Sequence, residues 1–242
     1  MFQQIIDKHK NKRNDFGVNT CLFLLFSMTN FIPIFPLELV VYPGENVNLH
    51  IFEERYKQLI SDCHKEKKPF GIPPVIKNKI AETGVLVEVV NIAKQYDDGR
   101  MDITTKGVSI FKILEVINSI PSKLYSGAIV KHLSNEDSIV TAHVQRVVKG
   151  IRELHKLLHV TKEFTKPDTQ LKSYDIAHHA GLSLEEEYEL LCLLREDQRV
   201  EYLRRHLNKI IPVVAGIENL KKKIQLNGHF KELKGFDFNS GK

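Results

Sequence analysis

The sequence contains no tryptophan and only three cysteines, Cys21, Cys63 and Cys192, which lie far apart and form no C-x-x-C pair. That scarcity excludes a disulfide framework and a thiolate zinc site, and it favours a reducing compartment, which we read as the cytoplasm. No G-x-x-x-x-G-K-[ST] phosphate loop occurs anywhere, so nothing cradles the phosphates of a nucleotide. Long apolar runs are missing too. The stretch Cys21–Phe26 follows a basic segment in the manner of a signal peptide, but no small-x-small cleavage site follows it. It is also far too short to cross a bilayer as a helix, so no membrane association is expected. The formal charge is a modest +5, and residues 28–137 carry thirteen basic side chains against fourteen acidic ones, a net of −1. A strong phosphate binder needs a basic stripe with stacking aromatics, and neither is present.

What is present changes period along the chain. Residues 1–27 are read as an extension, dispensable or reflecting a mis-assigned start, with Met28 opening the folded unit. Residues 31–42 are apolar and β-rich but interrupted by Pro33 and Pro36, as in an edge or bulged strand. Pro43-Gly44 is a turn, with proline presetting φ and glycine accepting a positive one. Val47, Leu49 and Ile51 alternate as a half-buried strand does. From Glu53 to Glu66 the stripe Tyr56, Leu59, Ile60 and Cys63 predicts a helix, with Glu53 and Glu54 in its first turn, where negative charge suits the dipole. A short apolar segment, Phe70–Ile76, and a β-branched run, Val85–Ile92, follow. Asp98-Gly99 predicts a hairpin into Met101–Thr105. Gly107 separates that strand from residues 108–116, and a last strand spans residues 125–133. Many short strands with proline-marked breaks point to a closed or half-closed barrel.

After residue 137 the period becomes three and four. Ile139, Val140, Val144, Val147, Val148, Ile151, Leu154, Leu157 and Leu158 predict one long amphipathic helix. A loop at residues 165–168 leads to a short helix, residues 171–180, closed by Gly181. Ser183 and Glu186 form a capping box ahead of Tyr188, Leu190, Leu191 and Leu194. A final pattern from Val200 to Ile224 runs about seven turns, with Pro212 as a site for a kink. Residues 228–242 read as a flexible tail. The fold class is therefore α+β, a β subdomain over residues 28–137 with one early helix, then a helical bundle over residues 138–227.

Candidate chemistry is sparse. His155 and His159 have i, i+4 spacing, but the sequence between them lacks the glutamate of a zinc-protease helix. They are read as a solvated pair. His178 and His179 are neighbours that diverge on a helix. Cys63 and His64 do not face each other, and Cys63 falls on the apolar stripe as a structural cysteine. Lys221–Lys223 reads as a solvated helix end. Tyr42 and Phe70 border proline-marked turns and are the candidate protein-contacting aromatics. No catalytic residue, metal ligand or cofactor-binding residue is identified, and no cofactor is expected.

The segment Ile34–Ile60 resembles the opening of the Lon protease N-terminal (LON substrate-binding) domain. The family pattern P-L-x-x-V-x-x-P-G-x-x-x-x-L-x-I-F-E-x-R-Y is filled by Pro36, Leu37, Val40, Pro43, Gly44, Leu49, Ile51, Phe52, Glu53, Arg55 and Tyr56. The likeness continues through Gly84, Leu86 and Glu88, then Asp98-Gly99-Arg100, then Gly107 with Phe111 and Ile113. It departs at Ser109-Ile110, where the family often has arginine before the aromatic residue. Pro36, Leu37, Pro43, Gly44, Phe52, Glu53, Arg55, Tyr56, Gly84, Gly99 and Gly107 are taken as mainly structural, with Glu53 and Arg55 capping the helix and tying it to the barrel. The resemblance implies a PUA-like barrel and a stand-alone, non-enzymatic protein-binding module, lacking the ATPase and protease of full-length Lon. Its partners would be unfolded or extended protein segments, with a Lon-type protease as a possible associate. The alternative it leaves is an RNA- or small-ligand-binding PUA-like domain.

Overall fold

The computed structural model describes residues 29–136 and 141–232. Its β strands are β1 (Thr29–Pro33), β2 (Asn46–Ile51), β3 (Phe70–Ile72), β4 (Val75–Ile76), β5 (Lys79–Ile80), β6 (Thr83–Gln95), β7 (Met101–Ile117) and β8 (Gly127–Leu133). Helix α1 (Glu54–Glu66) lies between β2 and β3. Strands β1, β8, β7, β6 and β3 neighbour one another in that order, all antiparallel, while β4 and β5 pair separately.

Strand β7 is the spine. One of its edges pairs with β6; the other is shared between β2, against Met101–Lys106, and β8, against Ile110–Ile117. Gly107 therefore does not separate two strands, as its sequence context suggests; it lies within one of 17 residues. Its role is to let the Pro43-Gly44 turn fill the gap between β2 and β8. The Gly44 N–H donates to the Gly107 carbonyl and the Gly107 N–H donates to the Glu45 carbonyl, both at 2.8 Å. A Cβ on Gly107 would overlap the Tyr42 carbonyl oxygen. Gly44 itself has φ +85° and open space around it.

The expected barrel is not closed. No ladder joins the end strands β1 and β3. A lone parallel bridge pairs Ile34 with Gly71, and the Phe35 N–H donates to the Gly71 carbonyl at 2.8 Å. The prolines explain the gap. The strand expected over residues 31–42 stops at Pro33, and β3 has only three residues before Pro73-Pro74. Within the curl, Phe111 is fully buried with Ile32, Ile34, Leu86, Ala128 and Val130. Gly71 and Gly84 make room for its ring, since a Cβ at either would lie 2.7 Å from Phe111 Cζ.

Helix α1 buries the expected stripe, Tyr56, Leu59, Ile60 and Cys63. It ends at Lys67, which adopts the left-handed conformation at φ 52° and whose neighbour Lys68 donates its N–H to the Cys63 carbonyl. The larger core joins these residues to Val85, Val87, Ile103 and Ile110 and to the helices that follow. Those helices are α2 (Thr141–Leu157), α3 (Ser173–Ile176), α4 (Leu184–Cys192) and α5 (Glu196–Glu232). Ile139 and Val140 lie outside the described residues. The short helix expected over residues 171–180 is α3 followed by a 3₁₀ turn, Ala177–His179, with Gly181 at φ 74°. Both bonds of the Ser183/Glu186 capping box are made. Helix α5 continues through Pro212 to Glu232, so residues 228–232 are helical rather than tail. Residues 1–27 and 233–242 lie outside the described residues.

Two glycines of the turn contact differ in what they tolerate. Gly107→Ala forces backbone apart and should cost about 2–4 kcal/mol. Gly44→Ala meets only left-handed strain and should cost about 1–2 kcal/mol. Urea unfolding of both variants checks the order.

Candidate functional site

The turn that Gly107 seats carries Tyr42 into the seam between the β unit and the helices. Tyr42 is fully buried, stacks on Tyr174 at 4.9 Å between ring centroids, and donates its hydroxyl to the Glu187 carbonyl at 3.1 Å. Phe70 is fully buried as well, 6.4 Å from the Phe35 ring. Neither aromatic reaches a partner from this surface, which corrects the expectation for both. Their turns place Tyr42 where the two halves meet and Phe70 in the core beside Phe35, not at the rim.

Charged groups converge on the same seam. His178 holds Glu187 at 2.7 Å from α4 and Glu45 at 3.2 Å from the turn. Burial pulls the His178 imidazole down, but hydrogen bonds to the two carboxylates outweigh it and carry the group up to about 9. His179 turns away toward Phe164 and His155, and burial brings it down to about 4. His155 faces the His179 carbonyl, whereas His159 lies past the end of α2 and faces Glu218, so the two do not form a site.

Deeper in the seam, Arg199 is fully buried and bonded to Glu196 at 2.8 Å. Its guanidinium also donates to the Ser173 hydroxyl, Asn135 Oδ1 and the Leu193 carbonyl, and lies 4.3 Å from the Tyr174 ring centre. Glu196 in turn accepts from the Ser173 N–H and hydroxyl at 2.8 and 2.6 Å. This network ties the chain after β8 to the starts of α3 and α5. Sequence reasoning missed it, although extending the stripe Val200, Leu203, Leu207 one turn back lands on Glu196 and Arg199.

Ser173 is sealed from solvent. Cys63 is buried, and burial pushes its thiol up to about 12. Among the described residues no group of three or more His, Cys, Asp or Glu is placed to hold a metal ion.

The exposed apolar surface lies elsewhere. Phe52 is 61 % exposed and Leu124 is 65 % exposed. Leu124 lines an open cleft of about 370 Å³ between α1 and the β6–β7 hairpin, together with Glu54, Lys57, Gln58, Ser61, Gln95, Gly99 and Met101. Phe52 follows Ile51, whose partner Met101 walls that cleft. Lys57 pins the hairpin to α1, donating to Glu54 at 2.8 Å and to the Asp98 carbonyl at 2.9 Å. Gly99 at φ 80° makes the turn beside it. On the outer face of the hairpin, Tyr96 lies under Lys94 and Arg100 and donates to Asp102, which also holds His50 at 2.6 Å. Paired acids offset those cations, so the face is not a phosphate track.

The other motif residues make the following contacts. Tyr56 stacks on Phe35 at 3.8 Å. Leu37 bridges Pro74, with Val75 donating to its carbonyl at 2.7 Å, and Pro36 is half-buried beside it. The Glu53 side chain makes no cap bond, contrary to expectation. It accepts from Arg55 at 2.8 Å instead, and Arg55 lies over the Tyr56 ring.

With this geometry in view, likeness to known proteins is informative. A family model for the ATP-dependent protease La (LON) substrate-binding domain matches residues 32–209. The crystal structure of a Lon N-terminal domain protein from Xanthomonas campestris superimposes with a TM-score of 0.55 at 21 % identity, covering 73 % of this chain and 98 % of that one. The N terminal domain of Mycobacterium avium complex Lon protease gives 0.55 at 14 % identity, covering 74 % and 98 %. At such identities the likeness is one of fold. No curated protein matches the chain.

Arg199→Ala leaves Glu196 buried and unpaired and should destabilise the fold by about 3–5 kcal/mol in chemical denaturation. The His178 contribution has the opposite chemistry and a defined pH window. Its folded value, about 9, lies above the unfolded one near 6.5, so its stabilisation is complete below about pH 6.5 and is lost as pH rises through 9. Allowing for its partial exposure, we expect a loss of about 1 kcal/mol between about pH 6.5 and 9.5, absent in His178→Gln. His179 acts in the other direction below about pH 6.5. Urea melts from about pH 4 to about pH 9.5 measure both.

Proposed function

The chain belongs to the family of the ATP-dependent protease La (LON) substrate-binding domain, and on that premise we propose that it is a non-enzymatic protein-binding module that recognises unfolded or extended segments of client proteins. The observation that carries the reading is the open cleft beside α1, bordered by exposed Leu124 and walled by Met101, with the exposed Phe52 one residue past the strand partner of Met101. Isolated exposed apolar residues are ordinary; one lining an open cleft, with a second exposed at the end of the adjoining strand, suits a partner that brings apolar side chains in extended form. In this reading residues 28–137 form a PUA-like β subdomain that does the binding and residues 138–227 form a helical subdomain that buttresses it. A Lon-type protease is the proposed associate and the cytoplasm the proposed setting. No described helix is long and apolar enough to cross a membrane.

A reduced, alkylated model protein that cannot refold should bind the full chain, and its native counterpart should not. Phe52→Ser with Leu124→Ser should weaken that binding about tenfold or more, with little change in the unfolding midpoint because both side chains are exposed. Isothermal titration measures the first effect. Equal binding to folded and unfolded forms would sink the proposal.

A further inference from the structure

Among the described residues, strand β2 pairs only with β7, and its other edge is left without a strand partner. Sheets normally guard such edges with lysine, proline, a bulge or extreme shortness. The other two ends of this sheet follow that practice: β1 runs into Pro33 and is bridged to β3, and β3 has three residues. The sequence of β2, Asn-Val-Asn-Leu-His-Ile, has no lysine, proline or glycine, and its register with β7 is unbroken over six residues.

The parity of the ladder shows which groups are open. Gly107 exchanges its N–H and carbonyl bonds with the turn that precedes β2. In an antiparallel ladder alternate residues face the same edge, so Thr105, Ile103 and Met101 bond toward β2, to Val47, Leu49 and Ile51. The N–H and carbonyl groups of Asn46, Asn48 and His50 therefore point outward. The side chains add a second observation. Thr105 and Ile103 are buried, yet their partners Val47 and Leu49, on the same inward face, are only half-buried. The core layer thus stops at β2 with apolar surface left open on its outer side.

We infer that this edge takes an extended segment of a client polypeptide as an added strand. Alternate apolar residues of the segment turn inward beside Val47 and Leu49, its polar residues lie level with Asn46, Asn48 and His50, and its backbone bonds to those three residues. The inference rests on the protein-binding reading above and names the mode of capture. Backbone pairing supplies sequence-tolerant affinity, and the two half-open inward positions supply a preference for alternating apolar residues.

The test uses the full chain and a short synthetic peptide of alternating valine and threonine, alongside the same peptide N-methylated on its threonine nitrogens, the ones that face β2. Binding is read by fluorescence anisotropy and the edge by amide hydrogen exchange. The unmodified peptide should slow exchange at Asn46, Asn48 and His50 by about tenfold or more, and N-methylation should weaken binding by a similar factor. Asn48→Pro should do the same. The N-methyl arm keeps the test decisive even where the proline variant folds poorly. Equal binding of the methylated peptide, or binding that leaves the three amides unprotected, overturns the inference. So does protection of those amides in a concentration-dependent dimer of the free chain, which would assign the edge to a second copy. If the unfolded protein binds while the three amides exchange unchanged, this inference fails and the recognition reading stands. If the unfolded protein is not bound at all, the recognition reading fails, and this inference with it.

Discussion

The contact between Gly107 and the backbone of Tyr42–Glu45 is the constraint on which the rest of the structure depends. A strand of 17 residues offers two edges, and one of them must serve both β2 and β8. The turn can enter between them only where β7 has no side chain on its approach. Once seated, it fixes the start of β2 and hence α1, which follows directly. It also fixes the direction of Tyr42, whose ring and hydroxyl meet Tyr174 and Glu187. The β unit and the helices thus meet at this turn as well as through their shared core and the Arg199 network.

The seam beyond that turn is polar as well as apolar. A buried Arg199–Glu196 pair costs desolvation, which its hydrogen bonds to Ser173, Asn135 and the Leu193 carbonyl offset. Such a network contributes less to net stability than to a choice of arrangement, because a displaced helix would strand a charge. His178 does the same nearer the surface, joining α4 to the turn. Apolar packing between the halves could slide; these directional bonds hold it in one position.

Much of this was legible in the residues. The α1 stripe, the Pro43-Gly44 and Asp98-Gly99 turns, the alternation of β2 and the capping box of α4 depend on local chemistry, and the sequence is local information. The failures share a cause. Gly107 reads as a break because its purpose is a contact with residues some sixty positions earlier in the chain. Tyr42 and Phe70 read as rim residues because proline marks turns without saying what covers them. Closure of the barrel depends on whether two distant ends meet, and the prolines that mark those ends also prevent the ladder. Phe52 was legible as a motif position but not as an exposed one, and the open edge of β2 follows only from the sheet order.

Helix α5 has 37 residues, so it is about 55 Å long at the usual rise. Its apolar packing lies in the first half, where Val200, Leu203 and Leu207 are buried and Ile210, Ile211 and Val214 pack against the core, while Leu220, Ile224 and Leu226 are exposed. Mechanically that is a lever with its fulcrum in the seam. From Val214 to Glu232 the arm measures about 27 Å, so a tilt of about 5° at the base sweeps the far end through about 2 Å. A displacement at the seam too small to disturb the core would thus be magnified to side-chain dimensions at the tip, and anything attached there would feel it.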